Sequence, residues 1–296
     1  MITYNHEPFI EQAINSILMQ KTDFLFNLVI GEDCSTDKTL NKIKPYEKNC
    51  QGRIRLIHSD QNIGMLPNLI RSLNACIGKY TAICEGDDYW TDPLKLQKQI
   101  YFLEANPEYG LVSSDIILID RDGKRLSDNK MVISQRQKRK SDADFFDLLD
   151  TNLVNTLTVC ARTDLLKGLA NRIVEKNLWF VIDYWLWLNI AIDYKIKIFD
   201  YKTAAYRVHP SSIGHKKAFF ETRIDNILYD AIRRYFKKHS LSELDKKQVK
   251  ILAKTSLRLI FSKHLRAMPK FFVIVCLIRS PRVFFAFIDH ILHRNY

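Results

Sequence analysis

The sequence lacks closely spaced cysteines. Six are present, but they are scattered, with no C-x-x-C pair and no histidine at the spacing of a zinc finger. Disulfide frameworks and structural zinc sites need cysteines that come together in pairs or fours. The pattern therefore argues against both kinds of site.

The sequence also lacks the features of a targeting or membrane-spanning segment. No uninterrupted apolar run reaches the roughly 20 residues that cross a bilayer. Met1 leads directly into Ile2-Thr3-Tyr4-Asn5, without the basic and apolar regions of a signal peptide. These absences predict a cytoplasmic protein, or one on the cytoplasmic face of a membrane.

Neither residues 1–215 nor residues 216–296 contain an excess of acidic residues. The excess of basic residues is confined to residues 216–296. The formal net charge is +12. Residues 1–215 contain 27 Lys and Arg against 27 Asp and Glu, whereas residues 216–296 contain 18 against 6. We therefore predict a neutral domain over 1–215 and a basic tail over 216–296. This division argues against a nucleic-acid protein built around one positive groove and favours an acidic partner for the tail.

The order of strand and helix patterns predicts the fold class. Hydrophobic residues make up 47% of the chain, enough for a sizeable core. Short apolar runs, each ending in a polar loop, alternate with helix patterns. The runs are residues 27–30, 54–57 and 80–84, and the helix patterns are 7–20, 37–48, 65–76 and from 92 onward. This alternation predicts an α/β fold, with a mostly parallel sheet flanked by helices and ligands at the carboxyl ends of its strands.

The patterns after residue 109 are less regular. Residues 110–120, followed by the turn at 121–124, predict a β-hairpin. The basic segment 136–140 predicts a solvated loop, and residues 195–207 predict strands.

The basic tail combines helix patterns with an aromatic stretch. Residues 221–239 and 245–265 predict amphipathic helices. Residues 271–292 then join a wholly apolar run to a stripe of aromatic and aliphatic side chains. We predict that this stretch lies on an anionic membrane surface. The alternative is that it packs against the body of the protein as ordinary core.

Acidic side chains follow two of the predicted strands. Asp33 ends one strand, where its carboxylate can accept an N–H from a planar base, whereas Ser35 and Asp37 have the pattern of helix caps. Glu85-Gly86-Asp87-Asp88 places three carboxylates within four residues, and their repulsion favours a compensating cation. Mg²⁺ or Mn²⁺ is the natural choice, since one or two carboxylates together with phosphate oxygens bind it. The alternative is a solvated acidic turn.

Five short motifs follow one another along residues 1–215. They are Thr3-Tyr4-Asn5-His6-Glu7, Gly31-Glu32-Asp33-Cys34-Ser35-Thr36-Asp37, Glu85-Gly86-Asp87-Asp88-Tyr89-Trp90, Asp183-Tyr184-Trp185 and Arg207-Val208-His209-Pro210-Ser211-Ser212. No single motif is decisive, because a lone pair of aspartates is common. In this order and at these intervals, however, the chain resembles family 2 glycosyltransferases of the GT-A fold.

The resemblance implies where the donor binds. It implies that Thr3, Tyr4 and Glu7 of the first motif, with Asp33 of the second, hold the base and ribose of a nucleotide sugar. Asp87 matches the first aspartate of a D-x-D-like motif, which lies near the ribose and the sugar.

The resemblance also implies a metal site. Asp88 matches the aspartate that links a divalent cation, Mg²⁺ or Mn²⁺, to the diphosphate. Arg207 and His209 match a motif that closes over the diphosphate, with His209 reaching the metal. The alternative for His209 is a hydrogen-bonded structural histidine.

The remaining implied roles concern catalysis and the acceptor. Asp183 matches the catalytic base of inverting members, and its alternative is a buried, paired aspartate. Trp90 and Trp185 are predicted to form the wall of the acceptor pocket, and core packing explains them equally well.

The chain departs from the family pattern in three places. Only Met1 and Ile2 precede the first motif, so we expect the first strand to be truncated. Residues 62–68 replace a loop that contains Gly and Arg in many relatives. A Gln-x-x-Arg-Trp motif is absent, which argues against a processive polysaccharide synthase.

The expected function is a metal-dependent, inverting transfer of one sugar from a nucleotide-sugar donor, a UDP-hexose, to a lipid-linked or surface glycan in bacterial polysaccharide biosynthesis. The expected location is the cytoplasm, peripherally on the inner face of the plasma membrane. Two alternatives stay open: a non-catalytic module that binds nucleotide sugars or glycans, and a basic peripheral protein whose tail binds nucleic acid. Since both Asp88 and Asp183 are present and the tail is rich in Phe, neither alternative is favoured and no nucleic-acid partner is expected.

Overall fold

The computed structural model describes residues 1–50, 52–175, 182–210, 217–240, 243–261 and Phe284. The chain forms two compact units, which we call the sheet unit and the helical unit. The sheet unit consists of Met1–Ala143, Val154–Trp179 and Tyr194–Ser212, and the helical unit of Asp144–Leu153, Phe180–Asp193 and Ile213–Tyr296. The helical unit therefore includes two segments from before the tail. The domain boundary expected at residue 215 stays a prediction.

The strands and helices of the first 105 residues confirm the predicted alternation, with ends that differ by a few residues. The strands are β1 (Ile2–Thr3), β2 (Leu28–Glu32), β3 (Ile54–His58), β4 (Tyr80–Ala82), β5 (Tyr89–Trp90), β6 (Tyr109–Ile119), β7 (Asp142–Ala143), β8 (Cys160–Arg162) and β9 (Lys195–Arg207). The α-helices are α1 (Ile10–Leu18), α2 (Thr39–Asn49), α3 (Met65–Ala75), α4 (Lys95–Ala105), α5 (Lys130–Lys138), α6 (Phe145–Asp150), α7 (Thr163–Glu175), α8 (Ile182–Ala191), α9 (Lys217–Lys238) and α10 (Lys246–Phe261).

The smaller sheet is parallel, in the order β1-β2-β3. All five residues of β2 are buried, which explains why its apolar run does not alternate with polar residues. β1 contains only Ile2 and Thr3, which pair with Gly31 and Glu32. A side chain on Gly31 would collide with the side chain of Ser72, so glycine allows α3 to pack directly on β2.

The larger sheet is mixed, in the order β4-β8-β6-β9-β5, with β7 also paired to β9. β6 and β9 run parallel, whereas β8 lies antiparallel between β4 and β6. The mostly parallel arrangement expected from the sequence therefore holds in the smaller sheet only. β8 comes from residues 160–162, well outside the stretch in which the alternation was visible.

The hairpin predicted after β6 is wrong in its second half. The turn forms, with the N–H of Asp120 donating to the carbonyl of Lys124 at 2.9 Å. The return strand, however, is reduced to a single bridge between Ile119 and Arg125. Helix α5 follows instead of a strand.

The basic segment 136–140 is not the solvated loop that its composition predicted. Arg136 lies in the last turn of α5. Both Arg136 and Arg139 pair with Asp115 of β6, at N···O distances of 2.9 Å. The side chain of Asp115 is only 5% exposed. Two guanidinium groups therefore compensate one buried carboxylate, which ties this segment to the sheet.

The helical unit is built around a helix without a polar face. Helix α8 is buried at every position from Tyr184 to Ala191, as expected for a helix in the middle of a core. The two helices predicted in the tail are confirmed as α9 and α10. None of the helices that the structure describes is long and apolar enough to cross a membrane. The membrane-lying stretch predicted at residues 271–292 falls outside the described residues, apart from Phe284.

Candidate active site

The first two sequence motifs are joined by reciprocal hydrogen bonds. Asn5 has a positive φ of 56°, and its side-chain oxygen accepts the N–H of Thr36 at 2.8 Å. The N–H of Glu7 donates to Asp37 at 3.0 Å, and the Glu7 carboxylate accepts the N–H of Lys38 at 3.1 Å. Glu7, predicted to bind the nucleotide, is thus held against the beginning of α2. These hydrogen bonds within the protein fix the conformation of the loop.

The two residues that begin the first motif differ in exposure. Tyr4 is 40% exposed, so its ring is accessible to a ligand, whereas Thr3 is 2% exposed. Thr3 lies against the acidic loop, because the N–H of Gly86 donates to the carbonyl of Ile2 at 3.0 Å. A Cβ on Gly86 would come within 2.7 Å of Thr3 Oγ1 and 2.8 Å of His6 Nδ1. Glycine at this position lets the two loops approach.

Asp33 joins the candidate site to the loop at residues 62–64. It is 2% exposed, and its two carboxylate oxygens accept the N–H groups of Ile63 and Gly64 at 3.0 and 2.9 Å. Arg71 lies 4.0 Å from the same carboxylate. In this structure Asp33 therefore fixes the loop that departs from the family pattern. Its predicted contact with a base stays a prediction.

Sequence reasoning missed a second acid, Glu32, and its partner. Glu32 is fully buried and accepts the N–H of Ser35 at 2.7 Å. Its other oxygen lies 2.8 Å from Nδ1 of His58, at the end of β3. Glu32 and His58 are direct neighbours in the β2–β3 register, which a single sequence does not show. In the sequence, Glu32 is visible only as a second acid next to Asp33. Nothing in the sequence indicates that His58 is its partner.

Asp87 lies between two histidines. Its Oδ2 atom is 3.1 Å from Nε2 of His209 and 3.7 Å from Nε2 of His6. Burial acts to raise the pKa of Asp87, but the hydrogen bond from His209 and the positive charge of His6 outweigh it and leave the pKa below its usual value. Burial also lowers the pKa of His6. The carboxylate and both imidazoles thus form one polar cluster.

Asp88, the neighbouring aspartate, has a different environment. It is 4% exposed, and its Oδ1 atom accepts the N–H of Arg207 at 2.7 Å. Burial, together with the charges of Asp87 and Glu85, raises its pKa well above the usual value. The structure therefore brings His209 to Asp87 and attaches Asp88 to β9. The two residues predicted to share a metal, Asp88 and His209, are not joined by a direct contact between their side chains.

Arg207 is a buried hub. It is 3% exposed, and its guanidinium donates to the carbonyls of Asp87 and Arg121 at 2.8 and 2.7 Å and to Gln12 at 2.7 Å. The guanidinium also lies 4.6 Å from the centre of the Phe9 ring. These bonds join the acidic loop, α1 and the turn after β6. The predicted closure of Arg207 over a diphosphate stays a prediction.

A cleft adjoins this cluster. Its volume is about 570 Å³, and it is lined by Pro8, Phe9, Gln12, Arg121, Asp122 and Arg207. The Phe9 ring centre lies 5.4 Å from that of His209, so the cleft lies next to the Asp87 pair.

The predicted base belongs to the helical unit. Asp183 is partly buried in the first turn of α8, and its Oδ1 atom accepts the N–H of Tyr184 at 2.7 Å. This bond restricts the direction of the carboxylate. Its catalytic role stays a prediction.

The structure argues against the pocket-wall role predicted for the two tryptophans. Trp90 is 3% exposed, and its Nε1 atom donates to the carbonyl of Leu157 at 2.8 Å. Trp185 is 1% exposed, and its Nε1 atom donates to Asp230 at 2.9 Å. A sugar cannot reach either ring in this conformation, so both are core residues that satisfy their polar atom internally.

The comparison with known families decides which proteins this chain resembles. Residues 1–163, more than half of the chain, match the sequence profile of Glycosyl transferase family 2. The chain belongs to this family. Among the residues that the structure describes, no group of three or more His, Cys, Asp or Glu side chains is placed to hold a metal ion.

Relatives of this family 2 chain include proteins with and without a named activity. The uncharacterized protein Rv1520 of Mycobacterium tuberculosis is 34% identical over 227 residues, which are 75% of this chain and 63% of that protein. The chain therefore spans less than two thirds of this relative. WfaP of Escherichia coli, named as a UDP-Glc:alpha-D-GlcNAc-diphosphoundecaprenol beta-1,3-glucosyltransferase, is 27% identical over 230 residues, 76% of this chain and 82% of WfaP.

Solved structures support the same fold. Residues 1–349 of S. aureus TarS, in complex with UDP-GlcNAc, align with a TM-score of 0.57 at 17% identity, over 87% of this chain and 80% of that one. The expected α/β fold of the GT-A type is thereby confirmed.

Proposed function

We propose that this family 2 chain transfers a single sugar, with inversion, from a UDP-hexose to a lipid-linked or surface glycan in bacterial polysaccharide biosynthesis. The observation that carries the proposal is the Asp87–His209 pair, whose carboxylate oxygen and imidazole nitrogen lie 3.1 Å apart beside a cleft. The activity named for WfaP and the nucleotide sugar bound to TarS support the donor class and the acceptor class. We place the protein at the cytoplasmic side of the membrane, where such an acceptor would meet a nucleotide sugar.

The donor set at Asp87 fits a divalent cation. Asp87 and His209 would hold such an ion, since a carboxylate oxygen and a neutral imidazole nitrogen can both serve as metal ligands. Such an ion needs few protein ligands, because water and phosphate oxygens complete its shell. We therefore assign Mg²⁺ or Mn²⁺ to Asp87 and His209, rather than to Asp88, whose Oδ1 atom already accepts the Arg207 N–H. A bound ion would neutralise charge on the leaving diphosphate.

The other side chains have roles that follow from their exposure and bonds. The exposed ring of Tyr4 is available to stack on the base, while Glu7 and Asp33 hold the surrounding loops in place. Thr3 and Gly86 keep the acidic loop beside the first motif. Preorganised loops of this kind lower the entropy that donor binding must overcome.

Asp183 is proposed as the general base. Its carboxylate takes the proton from the acceptor hydroxyl as that oxygen attacks the anomeric carbon, while the bond to the diphosphate breaks on the opposite face. One displacement of this kind inverts the configuration. The N–H of Tyr184 donates to Oδ1 of Asp183 and restricts the direction of this carboxylate.

Calorimetric titration with UDP and UDP-sugars, with Mn²⁺ or with EDTA, tests the donor and metal assignment. Asp87→Asn is expected to remove metal-dependent affinity, and Asp88→Asn to keep it, because the amide oxygen still accepts the Arg207 N–H. The control is Asp164→Asn, at an exposed position of α7. Binding that is unaffected by EDTA, or lost in Asp88→Asn alone, would contradict the assignment.

The test of catalysis uses the same panel of donors. Transfer with an inverted anomeric configuration, detected by NMR of the product, supports the proposal. Donor binding without any transfer, across a broad panel of acceptors, favours the alternative of a non-catalytic binding module.

A further inference from the structure

Helix α10 has two chemically different faces. Its buried face is apolar and consists mainly of Val249, Leu252, Ala253, Leu257 and Leu259. The exposed positions of the helix are, in order, Lys246, Lys247, Lys250, Lys254, Arg258 and Phe261. Every exposed position before the last is therefore basic, and the helix contains no acidic residue. We call the five cationic positions the basic stripe.

The basic stripe runs along one side of the helix. Lys246, Lys250, Lys254 and Arg258 follow one another at steps of four residues, and Lys247 lies three residues before Lys250, so these side chains share one side of the helix over about 18 Å. Like charges at this spacing destabilise a helix, so the arrangement does not improve the stability of α10 by itself. We expect such a destabilising row of cations where an anionic partner compensates the repulsion between them.

Part of the stripe is compensated within the helical unit. Lys247 and Lys254 pair with Asp147 and Asp150 at 3.0 and 2.8 Å. Both lysine side chains are more than half exposed, although the Asp147 carboxylate is only 8% exposed, so water and other anions can reach the two cations. Lys246 and Lys250 form no ion pair with any residue in the described part of the chain. These two lysines are the positions at which an external anion meets least competition.

We propose that the basic stripe binds the anionic headgroups of a lipid bilayer. A straight row of cations fits a flat anionic surface, and the row ends at Phe261, an apolar side chain that is 71% exposed. An exposed phenylalanine in line with the cations favours a bilayer over a nucleic acid, whose phosphates offer no apolar layer at that position. The partner is therefore an anionic membrane surface.

The contact is electrostatic. The apolar face of α10 is occupied by the core of the helical unit, so the helix cannot insert that face into the acyl chains. Binding is therefore expected to depend strongly on salt, because exposed charges are screened within about 10 Å at 0.1 M ionic strength. This contact does not depend on the aromatic stretch predicted at residues 271–292.

Sedimentation with vesicles tests the proposal on the full chain. We expect binding to vesicles of 30% phosphatidylglycerol in phosphatidylcholine at low salt, and none to pure phosphatidylcholine or at high salt. A lysine near an anionic surface contributes about fivefold to binding. Lys246→Gln/Lys250→Gln is therefore expected to reduce binding about tenfold or more, and Phe261→Ser by less.

The matched control is Lys44→Gln/Lys48→Gln, which removes two exposed lysines from another helix, α2. Circular dichroism verifies that both double variants are folded. Equal losses in the two double variants, an unchanged affinity of Lys246→Gln/Lys250→Gln, or binding to RNA without binding to vesicles would each overturn the proposal. The donor site proposed above contains no residue of α10, so failure here is distinct from failure of the proposed function.

Discussion

Two buried aspartates of the sheet unit and two aspartates of the helical unit have different kinds of partner. In the sheet unit, Asp33 and Asp88 are 2% and 4% exposed and accept backbone N–H groups. In the helical unit, Asp150 and Asp193 pair with Lys254 and Lys238 at 2.8 and 2.6 Å, with cations that are about half exposed. The partners are rigid in the first case and flexible in the second.

The difference indicates what each unit is suited to do. Backbone donors are held by the fold, so the carboxylates that accept from them have fixed positions, as a binding site requires. Lysine side chains are long, mobile and screened by salt, so their pairs contribute little stability and can be exchanged. The sheet unit therefore carries the preorganised site, and the helical unit carries an adaptable charged surface.

The largest expected effect is that of Asp183→Asn. Asp183 is an acid of the helical unit, and it has a proposed catalytic role. The amide keeps the shape of the side chain but cannot take the acceptor proton. We expect kcat to fall about 100- to 10,000-fold, with donor affinity nearly unchanged. Single-turnover transfer and calorimetric titration measure the two quantities. Near-normal transfer would remove Asp183 from the mechanism and leave the helical unit without a catalytic residue.

Arg207→Ala tests whether buried polar bonds organise the sheet unit. The substitution leaves the carbonyls of Asp87 and Arg121 and the side chain of Gln12 without their donor. We expect the free energy of unfolding to fall by about 3–5 kcal/mol, measured by urea denaturation. Arg121→Ala, at an exposed position, serves as the control and is expected to change it by less than about 0.5 kcal/mol. Similar losses in both variants would mean that Arg207 is not a hub.

A pH experiment contrasts a buried lysine of the sheet unit with the exposed lysines of the helical unit. Burial lowers the pKa of Lys95, which is fully buried beside Gln99, to about 8. Its pKa in the unfolded chain is higher, so between about pH 8 and 10.5 the unfolded state binds more protons and stability rises with pH.

The reference for this experiment is Lys95→Met. Relative to that variant, the wild type is expected to gain about 3 kcal/mol of unfolding free energy between pH 7 and 10.5. Lys254→Met, which removes a half-exposed lysine, is expected to show no comparable trend. A flat difference between wild type and Lys95→Met would mean that Lys95 keeps its charge.

The smallest expected effect concerns an ion pair of the helical unit. Lys238, about half exposed, pairs at 2.6 Å with Asp193, whose side chain is 39% exposed. Lys238→Gln is expected to lower the free energy of unfolding by at most about 1 kcal/mol, and by less at high salt. Lys250→Gln provides the comparison without an ion pair. A loss of several kcal/mol that salt does not reduce would show that the helical unit also contains rigid buried pairs, and would weaken the distinction between the two units.

Local sequence patterns predicted a strand or helix correctly where it depends mainly on its own residues. The apolar runs became β2 and β3, and the periodic segments of the tail became α9 and α10. Predictions that depended on neighbours were less successful. Segment 136–140 has the composition of a solvated loop, but Arg136 and Arg139 bind Asp115, which is 21 residues or more away along the chain.

The candidate site shows the same limit. The motifs located the acidic loop and the histidine, yet they did not indicate that Asp87 faces His209 while Asp88 accepts from Arg207, 119 residues later. They also gave no sign of the pair between Glu32 and His58. Each of these contacts joins elements that are distant in the chain.

The amino-acid sequence by itself determined which residue types stand at the ends of the strands, and these residues are enough to place the chain in its family. It also determined the uneven charge, since composition does not depend on folding. Tertiary structure decided which of two adjacent aspartates meets a histidine, and whether a tryptophan lines a pocket or fills a core. The physical reason is that adjacent residues on an extended loop point in different directions, and only the packing of distant strands decides which direction is buried.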